Sequence, residues 1–187
     1  MSLNRRKAEG LAYFFGFISC IPVANWMIGH VGTVCDPDGP CLLPVFPWGP
    51  GGHPIMAPSG VSMAGLALVL RDLVQRRLGR TVGVLSILAG AALSGAIAPP
   101  PLVVASTVAF LLSELADFAV YTPLQARGLV LAVFASSTVG LIADSVLFLW
   151  LAFGSLEFLS GQIIGKAWMV LLALPVVHWI RQRELRA

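Results

Sequence analysis

Charge is what this sequence has least of. Asp, Glu, Lys and Arg make up 11% of the chain, against about 25% in an ordinary soluble domain. Hydrophobic residues fill 57% of it, and the mean hydropathy is +0.86. A soluble fold of this length could not hide so much apolar surface, so the composition predicts an integral membrane protein. Other absences narrow the function. There is no GxxxxGKS/T loop and no polar domain to hold one, so the chain does not itself hydrolyse nucleotide. Neither HExxH nor GxSxG occurs. The histidines, His30, His53 and His178, are scattered, which offers no clustered catalytic or metal site. A net charge of +3 comes with no zinc-finger spacing, RNA-binding signature or long basic tail, so nucleic acid is not an expected partner. No enzymatic activity, cofactor or metal is expected.

What is present in quantity is long apolar runs. A membrane-spanning helix needs about 20 mostly apolar residues. The runs predict six spans, near 9–29, 57–76, 81–98, 102–121, 128–152 and 160–180. Pro99, Pro100 and Pro101 separate the third from the fourth, because proline cannot continue a helical ladder. The motif Tyr121-Thr-Pro123 is expected to end the fourth, and Gly154 with Ser155 to loosen the fifth from the sixth. Arg5, Arg6 and Lys7 precede the first run as in a signal peptide. The run from Leu11 to Gly29 exceeds the 7–15 residues of a signal core, and no A-x-A site follows, so it reads as a retained span.

The basic residues orient this layout. Arg5, Arg6 and Lys7 precede the first span, and Arg71, Arg76, Arg77 and Arg80 surround the second connection. Arg127 lies in the fourth connection, and Arg181, Arg183 and Arg186 follow the last span. Eleven of the twelve Lys and Arg residues thus share one side, the exception being Lys166. That side is cytoplasmic by the positive-inside rule. The expectation is an all-α membrane protein of one transmembrane domain, 1–187, multi-pass in the cell membrane, with both termini inside. Its long connection, 30–56, then faces outward. There CDPDGPC brings Cys35 and Cys41 to either side of a turn, and on an oxidising face they could form a disulfide. The third cysteine, Cys20, reads as packing within the first span.

Polar groups inside the spans demand an account. A charge at the bilayer centre costs about 2.5–3.5 kcal/mol on insertion scales. Three unpaired acids, Glu114, Asp117 and Asp144, would cost on the order of 7–10 kcal/mol, comparable to the 5–15 kcal/mol stability of a typical domain. Such residues face the bundle interior or a water-filled cavity. Ser113, Asp117 and Tyr121 share one helical stripe, and Ser137, Gly140 and Asp144 share another. Gln162 and Lys166 lie four apart on the sixth span, beside the GxxxG pair Gly161 and Gly165. GxxxG permits close helix approach within a chain or between chains, which leaves a homo-oligomer open. A purely structural network, with Lys166 neutralising Asp144 or Glu114, is one reading. One buried base leaves two of the three acids unmatched, and this excess, with an amide and hydroxyls, is better explained by a site for a polar small molecule.

Four blocks carry a family resemblance: VLRDLVQRRLGR (69–80), SELADFAVYTPL (113–124), SSTVGLIADSVLF (136–148) and GQIIGK (161–166). In their order and spacing they resemble the VUT family of vitamin uptake transporters, also called queuosine precursor transporters; APSGV (57–61) is similar to its short branch. The fifth-span block departs from the family's pattern: a glutamine is common near the position of Gly140, and DT where Asp144-Ser145 stands. The resemblance implies a six-helix membrane protein that takes up 7-cyano-7-deazaguanine or a related 7-deazaguanine base. Glu114 or Asp117 would then accept the two donors of the guanine-like edge, and Gln162 or Lys166 would donate to its carbonyl. Asp144 would be a second reader of donors or the partner of Lys166. Ser137 and Tyr121 would complete the polar lining, and Trp168 and Phe148 are candidates for stacking. Arg71, Asp72 and Gln75 would form an inner gate by an ion pair. The mechanism implied is gated access around a midplane site, with Glu114 or Asp117 available as a proton carrier. The alternative is a substrate-binding membrane subunit of an importer driven by separate ATPases.

Overall fold

The computed structural model describes residues 3–35 and 39–186. Within them lie α1 (Leu3–His30), α2 (Val61–Leu78), α3 (Arg80–Ile97), α4 (Val103–Leu124), α5 (Leu129–Phe153) and α6 (Leu159–Leu185). Consecutive helices run antiparallel, so one end of the bundle carries both termini and the other carries the long connection. Gly79 alone joins α2 to α3, at φ 93°, a conformation that strains any residue with a Cβ. Gly154 closes α5 in the left-handed region (φ 61°) and donates its N–H to Trp150 O at 3.0 Å. The proline run ends α3 as expected. Pro123, however, lies inside α4, which continues to Leu124; one lost N–H near a helix end is cheap.

Five helices, all but α2, are long and apolar enough to cross a membrane. Expectation and structure differ at α2. It is a helix of 18 residues, but Arg71, Asp72, Arg76 and Arg77 make it too polar to count as a span by composition. The packing supplies the reason. α2 contacts α1, α3, α4, α5 and α6, and most of its residues are buried, Arg71 and Asp72 among them. A helix enclosed by five others needs no apolar face toward lipid. The outer helices instead present large apolar side chains such as Leu85, Val104, Leu131 and Leu172.

The fold is also not purely helical. The long connection forms a small antiparallel sheet of β1 (Val34–Cys35), β2 (Cys41–Phe46) and β3 (Ile55–Pro58), in the order β1-β2-β3. A disulfide joins Cys35 to Cys41, which face each other in the β1/β2 register. The sheet is fastened to the bundle at three points. Ser59 Oγ donates to Met27 O of α1 at 2.7 Å. Trp168 Nε1 of α6 donates to Val45 O at 3.0 Å. Gly161 has no side chain where Met56 O and Ala57 of β3 press on α6, and Gly165 none where Val45 and Val61 do. The GxxxG pair thus admits the outer sheet and the start of α2.

At the end carrying the termini the bundle is tightly packed. Leu68, Val69 and Leu73 of α2 meet Tyr121 of α4, Leu129, Val133 and Leu141 of α5, and Val170, Val177 and Ile180 of α6. Ion pairs seal the surface there. Glu184 of α6 takes Arg76 at 2.7 Å and also Arg77, and Arg77 reaches Glu9 of α1 at 3.1 Å. A cavity to which all six helices contribute lies toward the sheet end.

Candidate functional site

The buried polar residues of the helices sort into two sets at different depths in the bundle. The deeper set is built around Arg71, which is completely buried. Its Nε donates to Glu114 Oε2 at 3.0 Å, its second terminal nitrogen donates to Asp117, and the other donates to Gln75 Oε1 at 3.1 Å while lying 3.0 Å from Asp72 Oδ1. The guanidinium is also within 5.8 Å and 5.9 Å of the Phe118 and Tyr121 ring centres, in cation–π range. Ser136 of α5 donates to Asp72 at 2.8 Å, and Gln75 Nε2 donates to Thr122 Oγ1 at 3.1 Å. One fork-shaped cation therefore binds groups on α2 and α4, a geometry a lysine could not reproduce. Gly140 makes room for it: a Cβ there would sit 3.0 Å from Asp117 Cβ and 2.8 Å from Leu68 Cδ2.

The shallower set centres on Lys166, also buried. Its Nζ donates to Asp144 Oδ2 at 2.6 Å, Gln162 Oε1 at 2.6 Å and Ser145 Oγ at 2.9 Å. Three acceptors use all three ammonium protons. Gln162 spends its oxygen on the lysine, which leaves its NH₂ as a donor. Ser145 gives its own proton to Leu141 O at 2.7 Å. Asp144 Oδ1 takes only a long contact from Ser113, at 3.4 Å. Gly65 of α2 brings this set against the central helix, since a Cβ there would stand 2.9 Å from the Lys166 Cα.

A cavity opens on the second set and not on the first. It offers about 110 Å³ to the centres of water-sized molecules, and α1 to α6 all contribute to its wall. Asp144, Gln162 and Lys166 form its polar side, and Phe110 and Phe148 supply aromatic surface. Glu114, Asp117, Ser137 and Tyr121 are absent from the lining. Exposure separates the acids in the same way: the Asp144 side chain keeps 22%, Glu114 2% and Asp117 none. The expected stripe of Ser113, Asp117 and Tyr121 is real as a buried face of α4, but it faces α2 and α5. Among the described residues Asp117 Oδ2, the Tyr121 hydroxyl and the Ser137 hydroxyl have no hydrogen-bond partner.

The expected gate residues lie inside the bundle, where Arg71 and Asp72 stand 3.0 Å apart as an ion pair. Arg71, Asp72 and Gln75 are interior anchors of Glu114 and Asp117, while the ion pairs at the bundle's end belong to Arg76, Arg77, Glu184 and Glu9. Trp168 lies outside the cavity and anchors β2. Cys20, read as packing, lines the cavity. Sequence reasoning missed Asn25, Ser94 and Ser106 in the wall and Ser136 and Ser145 in the two networks. Asn25 left a trace, as an amide inside an apolar run; lone serines in helices leave none.

These features define a multi-pass helical membrane protein with a largely apolar cavity among its helices that is polar on one side. Residues 91–180, from the last turns of α3 through most of α6, match the family described as "Putative vitamin uptake transporter". Over that stretch, a little under half of its length, the chain is similar to this family. Comparison with curated proteins and with solved structures gave no match. The matched stretch carries Glu114, Asp117, Asp144, Gln162 and Lys166; the α1 and α2 walls of the cavity precede it.

Proposed function

We propose that this chain takes up an uncharged 7-deazaguanine base, a precursor of queuosine such as 7-cyano-7-deazaguanine, and binds it in the cavity beside Asp144. The observation that carries the reading is the division of labour around Lys166. Because the ammonium is saturated by protein acceptors, the ligand meets Asp144 as acceptor and the Gln162 NH₂ as donor. A guanine-like edge has that complement: two adjacent donors for a carboxylate and a carbonyl for an amide. Phe110 and Phe148 offer flat apolar surface to its ring. Glu114 and Asp117 serve this site indirectly, by holding α4 to α2 through Arg71.

All six helices cross the cell membrane in this proposal, α2 shielded by the other five. Both termini lie in the cytoplasm, because the basic residues gather at that end. The cavity then opens toward the outside, and the Arg76, Arg77 and Glu184 ion pairs close the inner face. Transport is gated access around the cavity.

Binding of 7-cyano-7-deazaguanine to the purified protein tests this. Asp144→Asn is expected to weaken binding about 10–150-fold, the value of a hydrogen bond to a charged group, whereas Glu114→Gln leaves it within about threefold. Equal affinity for wild type and Asp144→Asn, or no binding of any 7-deazaguanine by the wild type, would refute it.

A further inference from the structure

The α1 wall of the cavity holds one more oriented polar group. Asn25, on α1, lines the cavity, and its Nδ2 donates to Ile21 O one turn back at 3.0 Å. That bond fixes the amide. The reverse orientation would set two acceptor oxygens against each other. Nδ2 is therefore held on the helix side, and among the described residues nothing donates to Oδ1. The cavity thus receives a fixed acceptor from α1. Because α1 packs on α2 and α3 while α5 packs on α4 and α6, this acceptor and Asp144 stand on different walls. A ligand touching both must carry donors on two separated edges.

We infer that Asn25 Oδ1 accepts the N–H of the ligand's five-membered ring, and so makes the site select the free base over its N-glycosides and N-alkyl derivatives. The inference rests on the reading of the substrate given above. A free 7-deazaguanine has donors on its six-membered ring and one more N–H on the five-membered ring at the far side. In a nucleoside that N–H is replaced by the bond to the sugar. An N-substituted ligand would leave Oδ1 stranded and would also need room for the substituent. The cavity gives little, about 110 Å³ to water-sized centres. Cys20, Ile21 and Ala24 surround Asn25 on the same helix and offer no other charged group.

The test compares two probes on one protein sample: a 7-deazaguanine base, and the same base methylated on the five-membered-ring nitrogen. Measuring both on the same preparation cancels any change in folded fraction. The wild type should prefer the unmethylated base by about tenfold or more, the scale of one stranded acceptor. In Asn25→Ala the preference should shrink to about threefold or less. Asn25→Asp, which keeps an oxygen acceptor, should restore it. A preference unchanged in Asn25→Ala, while the base still binds, overturns the role of Asn25 alone and leaves the substrate reading standing. Failure of the wild type to bind either probe overturns the substrate reading and this inference with it.

Discussion

Replacing Arg71 by methionine should be among the most damaging single changes available to this protein. Its guanidinium is fully buried and holds Glu114, Asp117, Asp72 and Gln75. Breaking a buried ion pair by removing one partner costs about 3–5 kcal/mol, because the other charge stays behind without compensation. Here three carboxylates stay behind, so that range is a lower bound. For a domain of this size each kcal/mol lowers the melting temperature by about 2–4 °C, so a fall of about 6–20 °C is expected. Arg71→Lys keeps the charge but not the planar fork, and should lose about half as much. The cost is one of uncompensated charge, so neutralising acids on the methionine background should recover part of it. The triple variant Arg71→Met, Glu114→Gln, Asp117→Asn should therefore melt above Arg71→Met. Melting of purified protein in detergent, followed by loss of monodispersity on heating, measures all of these. A melt of Arg71→Met within about 2 °C of the wild type, or a triple variant below the single one, would refute the reasoning.

Two further outcomes follow from the packing. In Gly65→Ala the new Cβ would stand 2.5 Å from Lys166 O and 2.9 Å from its Cα; backbone cannot swing aside, so α2 and α6 must separate. The expected cost is about 1–3 kcal/mol, with weakened ligand binding as Lys166 moves, and wild-type binding at an unchanged melt would contradict it. Cys35→Ser with Cys41→Ser removes a bridge across a sequence separation of 6, worth about 2 kcal/mol of loop constraint. The melt should fall and reductant should no longer lower it, while affinity in the cavity stays within about threefold; a large loss of affinity would show that the sheet shapes the site directly.

The sequence carried the helices and the partners of Lys166 better than it carried Arg71. Apolar runs and the proline run mark five helices because lipid-facing surface must be apolar, a local requirement. Spacing of four likewise put Gln162 beside Lys166, and they are bonded. Arg71 sits in a segment that reads as the charged end of a span. Its burial depends on five helices surrounding α2, which no local pattern encodes. Ser113, Asp117 and Tyr121 show the same limit from the other side: periodicity fixed their shared face, but not whether that face met a cavity or a neighbouring helix. The sheet was hidden for a different reason. Pro44 argues against a central strand, since it cannot donate to the ladder. The structure keeps it in β2 by breaking the register with β3 between Pro44 and Phe46.

The two charge clusters together constrain the ligand more than either does alone. In the cavity wall Lys166 and Asp144 cancel, and the other polar groups, Asn25, Ser94, Ser106 and Gln162, are neutral. An organic anion entering there would find no free cation. It would also approach Arg71, one helical turn beyond Ala67 of the wall, where three carboxylates outnumber one guanidinium. An organic cation would compete with Lys166 for Asp144 and strand a buried ammonium, at a cost of several kcal/mol. A neutral heterocycle with separated donors avoids both penalties. Because α2 supplies the wall through Ala64 and Ala67 and the cluster through Arg71, a ligand that shifts α2 must also strain the bonds to Glu114 and Asp117. Such a ligand would act on the deeper network without touching it.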